Sequence, residues 1–478
     1  MNSHTEQSLK RTRRSLAFIR SCVGEPLERV RYHEYSRSMK AKFVEVQEIT
    51  FSDMKRIIIW VVVACAIFAS VPTDGFAQKI SPDEQRIVDY IDSHTNEALA
   101  LLERTVNIES PTENLAGVRQ VGMIFKEEFD ALGFTTKWLE MPAEMKRAGH
   151  LLAEKKGVKG RRILLLGHLD TVLHGERFRR EGDKAYGTGT SDMKAGDVVI
   201  FYALKALRET GALKDASVTI MLMGDEENSG EPKDIRLAGL IAAAKRSDVA
   251  LSFDGGEKNS ALAAERGQSF WQIDVTAKTG HSSQIFRPEM GNGAIFEAAR
   301  ILHQFYASLH SEKYLSFNPG VIAGGTEIED KLTTVTVKGR GSVIPAKAIM
   351  FGDLRFISRQ QEEAARARMR KIVAENLPGT SAKITFYDGL PAMPPTEENN
   401  ALLKQLDAVS RDLNFGGMEA AEPEGGATDL SEIAHLLPGL ENLGAIGGGE
   451  HTRDEYVELD TLPIQIKRAA LLIYRLTR

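Results

Sequence analysis

Apolar runs of strand length alternate with amphipathic stretches of helical length between residues 161 and 254: "RRILLLG", "AGDVVIFYALKALRETG", "ASVTIMLMG", "DIRLAGLIAAAKR" and "DVALSFD". A buried strand needs only a short continuous apolar run, whereas a helix repeats its apolar residues every three to four positions. The alternation therefore predicts an α/β domain on a largely parallel sheet. Two helical stretches precede it, "PDEQRIVDYIDSHTNEALALL" and "AGVRQVGMIFKEEFDALGF", the second stopped by Gly133.

After Arg266 the pattern changes to "SFWQIDVTAK", a helix "GAIFEAARILHQFYASLH", strand-like "NPGVIAGGT" and "KAIMFGDLRF", a helix "RQQEEAARARMRKIVAENL", and "AKITFYD". This β-α-β-β-α-β order reads as a small ferredoxin-like α+β sandwich. The last segment regains α/β character, with "ENLGAIGGG" as strand and loop and "IQIKRAALLIYRL" as a closing helix. The expected organisation is one domain from residues 78–266 and 390–478, interrupted by an inserted domain at 267–389.

With 478 residues, 42% hydrophobic and 27% charged, the chain is long enough for two cores, and disordered or collagen-like classes drop out. A net charge of -5 and a pI near 6.2 give no electrostatic case for nucleic acid. The expected partner is a small molecule or peptide.

Residues 54–77, "MKRIIIWVVVACAIFASVPTDGFA", have the layout of a secretory signal: Lys55 and Arg56, an apolar run, then a small-residue site ending at Ala77. The run is too short to favour a stable membrane span. Signals begin at the N-terminus, so translation is inferred to start at Met54, with residues 1–53 a mis-called or disordered extension. The mature protein would begin near Gln78, without a membrane span, in the periplasm or outside the cell. Both cysteines, Cys22 and Cys65, precede the region that reads as folded. A disulfide framework and a thiolate metal site are thus excluded there, leaving His, Asp and Glu as ligands.

Open α/β sheets bind ligands beyond the carboxyl ends of their strands. "ILLLG" leads into His168 and Asp170, "TIMLMG" into Asp225, Glu226 and Glu227, "VALSF" into Asp254, and "LGAIGGG" into Glu450 and His451; "YGTGTSDMKAG" delivers Asp192 from a Gly-rich loop. Each alone could be a cap or a solvated residue, but together they converge on one sheet edge. Two imidazoles and several carboxylates suit zinc, or else cobalt or manganese. With two ions about 3.5–4 Å apart, one carboxylate must bridge, and a water between them becomes a nucleophile near neutral pH. Another carboxylate must stay off the metals to take its proton. Adjacent Glu226 and Glu227 can divide these duties. His168 and Asp170, two apart, share a strand face, so Asp170 can hold the second ring nitrogen of a liganding His168.

The ordered set "GHLDTV", "GTGTSDMKAG", "GDEENSG", "SFDGGE", "GHSS", "DLRF" and "GGGEHTRDEYV" resembles the M20 family of metallopeptidases, the group of glutamate carboxypeptidase, acetylornithine deacetylase and succinyl-diaminopimelate desuccinylase. The resemblance implies a zinc-peptidase-like catalytic domain with a lid and dimerisation domain inserted. It implies two zinc ions, with Asp192 bridging, His168 and Asp254 on one ion, and Glu227 and His451 on the other. Glu226 matches the general base and Asp170 the carboxylate behind the first histidine. His281 in "GHSS" matches a lid histidine that in dimeric members reaches a neighbouring active site and helps stabilise the oxyanion. Arg355 in "DLRF" matches an arginine that holds a substrate carboxylate, although a structural salt bridge explains it equally well. Gly426 belongs to a loop resembling one that lines the pocket.

The sequence also departs from the family pattern. Ser342 stands in "GSVIPA" where the glutamate carboxypeptidase branch tends to have Asn, and Asp254 stands where that branch often has Glu. The helix "EPKDIRLAGL" after "GDEENSG" carries no motif that can be assigned a task. The expected function is a secreted di-zinc hydrolase cutting an amide next to a free carboxylate, as a carboxypeptidase does, through a metal-bridging water activated by Glu226. The alternative is an N-acyl-amino-acid deacylase or an aminopeptidase with the same centre. The substrate would be a small peptide or N-acyl amino acid, and a homodimer through the inserted domain is compatible with the family.

Overall fold

The computed structural model describes residues 80–331, 334–423 and 426–478. The expected extension at 1–53, the signal at 54–77 and both cysteines lie outside the described residues. No helix among the described residues is long and apolar enough to cross a membrane.

Helix α1 (Pro82–Val106) starts at a capping box in which Ser81 and Glu84 satisfy each other's backbone N–H, with Pro82 at the first helical position. It buries Ile87, Ile91, Ala98 and Leu102, one face at helical spacing. Helix α2 (Leu115–Ala131) follows, then strands β1 (Thr135–Leu139), β2 (His150–Lys155) and β3 (Lys159–His168), helix α3 (Lys194–Glu209), strand β4 (Ala216–Met223), helix α4 (Lys233–Ala244) and strand β5 (Val249–Ser252).

These strands form one sheet in the order β1-β2-β4-β3-β5, extended by Gly439–Leu440 beside β5. The three inner pairings, β3 with β4, β3 with β5, and β5 with Gly439–Leu440, are parallel; β1 with β2 and β2 with β4 are antiparallel. The sheet is therefore mixed. Alternate residues of β3 fill separate cores: Ile163 and Leu165 pack with α1, α2 and α3, while Leu164 and Leu166 pack with Leu237 and Leu240 of α4. Burial on both faces explains why this strand is a continuous apolar run. In register, His168 lies opposite Met223 and Leu166 opposite Ser252, so the inner strands end nearly level.

Strand β6 (Gly267–Ala277), helix α5 (Ala294–Leu309), strand β7 (Ser316–Gly325), the hairpin β8 (Glu327–Lys331) and β9 (Thr334–Lys338), strand β10 (Lys347–Phe356), helix α6 (Arg359–Ala374) and strand β11 (Thr380–Asp388) come next. The four long strands make an antiparallel sheet in the order β7-β10-β6-β11. Trp271, Ile273 and Val275 of β6 pack with Ile301 and Phe305 of α5 and Ala365 and Met369 of α6 in a core of their own. This is a ferredoxin-like α+β sandwich with helices on one face.

Helices α7 (Glu397–Asp412), α8 (Asp429–Ile433) and α9 (Leu462–Leu476) return to the first sheet, where α9 packs with α1 and α3. The stretch "LGAIGGG" does not itself extend the main sheet. That place is taken by Gly439–Leu440, and Gly447–Gly448 pairs with Tyr456–Glu458, which in turn pairs with Lys184–Tyr186. Beyond Leu440 the chain stays attached to this edge through the N–H groups of Leu443 and Gly444, which bond to the carbonyls of Ser252, the last residue of β5, and of Gly255.

Candidate metal centre

The ends of β3, β4 and β5 bring His168, Glu227 and Asp254 to one edge. The small sheet of Lys184–Tyr186, Tyr456–Glu458 and Gly447–Gly448 brings the Asp192 loop and the His451 turn to the same place. Nε2 of His168 lies 3.0 Å from Oδ1 of Asp192 and 3.7 Å from Oδ1 of Asp254. Nε2 of His451 lies 3.1 Å from Oδ2 of Asp192 and 3.3 Å from Oε2 of Glu227. Asp192 thus turns one oxygen to each histidine. Two three-residue groups result, His168–Asp192–Asp254 and Asp192–Glu227–His451, each with its donor atoms within 4.8 Å of one another.

The neighbouring groups fix this arrangement. Nδ1 of His168 is 3.1 Å from the carbonyl and 3.5 Å from a carboxylate oxygen of Asp170. Asp170 is fully buried and accepts the Thr112 hydroxyl at 2.6 Å and the N–H groups of Glu226 and Glu227 at 3.1 and 3.2 Å. One carboxylate therefore sets both the ring of His168 and the backbone that carries the paired glutamates. The Asp192 loop is held by Glu455, whose carboxylate accepts the N–H groups of Gly189, Ser191 and Asp192 at 2.8, 2.8 and 3.0 Å. Buried Lys194 donates to the carbonyl of Ile108 at 2.9 Å, tying the loop to the segment that carries Thr112.

Crowded carboxylates perturb one another's titration. Burial, reinforced by Asp254, Asp429 and Asp170, pushes Glu226 well above the usual carboxylate range. Burial and the charges of Asp192 and Asp170 push Glu227 up to about 8. Burial alone would raise Asp192, but hydrogen bonds from His168 and His451 outweigh it and hold it well below its ordinary value. Burial would lower His168, yet Asp170, Asp192 and Asp254 hold it well above the usual imidazole range. Three carboxylates and two imidazoles this close favour an added positive charge, which a divalent cation supplies. Nitrogen and oxygen donors without thiolate fit zinc, cobalt or manganese.

The other residues singled out in the sequence have different surroundings. His281 is exposed in a loop, with Nδ1 2.8 Å from the hydroxyl of Ser283. Ser342, also exposed, accepts the Ser282 N–H through its carbonyl at 2.9 Å. Arg355 is paired with Asp353 at 3.0 Å on β10. Gly426 is exposed, with nothing within 4 Å of where a Cβ would stand. None of these four belongs to either three-residue group. Sequence reasoning assigned no task to Glu455, Thr112 or Lys194; for Glu455 and Lys194 the available signal was their place inside "GGGEHTRDEYV" and "GTGTSDMKAG".

Residues 164–475 match the family model for peptidase family M20/M25/M40. The chain is 30% identical over 384 residues to carboxypeptidase G2 of Pseudomonas sp. (strain RS-16), an alignment spanning 78% of this chain and 87% of that protein. It is 25% identical to succinyl-diaminopimelate desuccinylase of Cupriavidus taiwanensis, over 76% of this chain and 95% of that one. Among solved structures, aminopeptidase PepT of Bacillus cereus superposes with a TM-score of 0.63 at 17% identity, covering 80% of this chain and 99% of the other.

Proposed function

Since the chain belongs to peptidase family M20/M25/M40 and is a metallopeptidase or amidohydrolase of that family, we propose that it cleaves an amide bond next to a free carboxylate, as a glutamate carboxypeptidase does. The observation that carries the reading is Asp192, whose two oxygens face two histidines that each have a further carboxylate beside them.

His168, Asp192 and Asp254 would hold one zinc ion, and Asp192, Glu227 and His451 a second, with cobalt or manganese able to replace zinc. When bound, the ions supply Lewis acidity to the scissile carbonyl and to an attacking water. Glu226 moves the proton. Its raised pKa suits a group that takes a proton from water and returns it to a leaving amine. Among the described residues no hydrogen bond engages its carboxylate, which leaves both oxygens available. Asp170 keeps His168 in one orientation, with Nε2 directed at Asp192 and Asp254. Arg355 would grip the substrate carboxylate through two parallel hydrogen bonds, exchanging its bond to Asp353 for the substrate. His281 would help stabilise the oxyanion, and Ser342 and Gly426 would complete the substrate pocket.

A second reading, an N-acyl-amino-acid deacylase, is favoured by the desuccinylase relatives. It uses the same residues on a different acyl group. Ile295, Phe296 and Tyr306 of α5 and Ile322 of the edge strand β7 are exposed, and they support a homodimer through the inserted domain. The signal at 54–77 supports export to the periplasm or beyond; N-terminal sequencing of the secreted protein should begin near Gln78.

The test is hydrolysis of C-terminal-glutamate dipeptides, N-acylglutamate, N-acetylornithine and a free-amine dipeptide amide by the zinc-loaded mature chain, with Glu226→Gln as control. Activity on the carboxylate-ended substrates that vanishes in the variant supports the proposal. Activity confined to the amide would replace it with an aminopeptidase.

A further inference from the structure

The first turn of helix α4 carries a buried cation. Arg236 is 2% exposed. Its Nε donates to Oδ1 of Asp225 at 2.9 Å, and its Nη2 donates to the Asp225 carbonyl at 3.3 Å and to Oδ1 of Asp429 at 2.8 Å. The other oxygen of Asp225 accepts the Gly230 N–H at 3.0 Å, closing the turn that contains Glu226 and Glu227. Behind it, Nδ1 of buried His150 accepts the Gly224 N–H at 3.1 Å, so Nε2 carries the proton and donates to the Arg236 carbonyl at 3.2 Å. Beyond Asp429, Thr428 donates its hydroxyl to Glu441 at 2.6 Å and its N–H to Glu265 at 3.2 Å.

The guanidinium therefore joins two pieces of chain far apart in sequence: the turn that presents Glu226, and the start of α8. Buried ion pairs are weak stabilisers, because desolvating the charged groups offsets most of their attraction. What a planar fork offers beyond an apolar filler is direction: separate N–H groups fix the Asp225 side chain, the Asp225 carbonyl and Asp429 relative to one another.

We propose that Arg236 is a positioning residue for Glu226, holding the backbone at Asp225 against Asp429 so that the Glu226 carboxylate keeps one placement. The inference rests on the reading of Glu226 as proton carrier. A displacement of about 1 Å at a reacting group lowers rates by about 100-fold. Lysine keeps the charge of Arg236 but cannot serve three acceptors with fixed geometry.

The experiment compares Arg236→Lys, Asp429→Asn, the double variant and Glu226→Gln as zinc-loaded full-length mature enzymes, recording kcat, KM, metal content and Tm. The expected result is a fall in kcat of about 100-fold in Arg236→Lys and Asp429→Asn, with KM and two bound ions retained. The double variant should be no slower than the slower single one. A lowered Tm with unchanged kcat per folded molecule would make Arg236 merely structural and overturn the proposal. If Arg236→Lys does not fold, Asp429→Asn decides by the same criterion. Should Glu226→Gln stay active, the proton-carrier reading falls and this inference with it; an inactive Glu226→Gln beside a full-speed Arg236→Lys overturns the inference alone.

Discussion

The carboxylate of Asp170 accepts the backbone N–H of Glu226 at 3.1 Å. The same carboxylate reaches Nδ1 of His168 at 3.5 Å, so the end of β3 and the turn after β4 are set by one buried group. Parallel strands that end level make this economy of parts available: His168 and Met223 are direct neighbours, and the residues just beyond each can share an acceptor.

Asp170→Asn should therefore do more than weaken one histidine contact. An amide presents one acceptor oxygen and a donor nitrogen in place of two acceptors, so it cannot satisfy Thr112, Glu226 and Glu227 together. Metal affinity should fall about 10–100-fold, as is usual for groups behind a liganding histidine. Competition with a chromogenic chelator measures the affinity, and unchanged affinity would contradict the role assigned to Asp170.

Glu455→Ala should loosen the Asp192 loop. It removes the acceptor of three backbone N–H groups in a place that is 3% exposed, where water cannot readily replace it. Orphaned buried donors cost about 1–3 kcal/mol each. Denaturant unfolding should show a loss of at least that order, with faster amide exchange at Gly189, Ser191 and Asp192 than elsewhere in the loop.

Glu84 links α1 to α9 through Arg475 at 2.7 Å. Burial raises its pKa, but the Ser81 N–H and hydroxyl and the Arg475 guanidinium outweigh burial and hold it below its ordinary value of 4.5. A carboxyl whose folded pKa is depressed stabilises above its unfolded pKa, and that contribution is lost as pH falls through the folded value. The Tm gap between wild type and Glu84→Gln should thus stay constant from about pH 8 to 6 and close below about pH 4.5. A gap that widened in acid would contradict the sign.

The inner strands were legible because β3 and β4 are buried on both faces and read as unbroken apolar runs. Strands β1 and β2 were not. The former, "TTKWL", is half exposed with two apolar residues, and "HLLAEK" lacks a run long enough to stand out. The hairpin of β8 and β9 was also missed: β8, "EIEDK", is mostly exposed and charged and resembles a loop, whereas "TVTVK" of β9 alternates β-branched residues and did carry a strand signal. The residues of the metal groups were legible because each ends an apolar run or sits in a Gly-rich loop. Glu455 was not, since its meaning lies in backbone N–H groups 263 to 266 residues away, and an acceptor for a backbone donor leaves no periodic trace. Arg236 was missed for the same reason: its partners lie 11 and 193 residues away.

The proposed centre depends on Asp192 joining two metal ions. Anomalous diffraction at the zinc edge, from crystals of the zinc-loaded mature protein, reads the position of each ion. Two peaks are expected on either side of Asp192, one also contacting His168 and Asp254, the other Glu227 and His451. A single peak, or peaks on other residues, would contradict it.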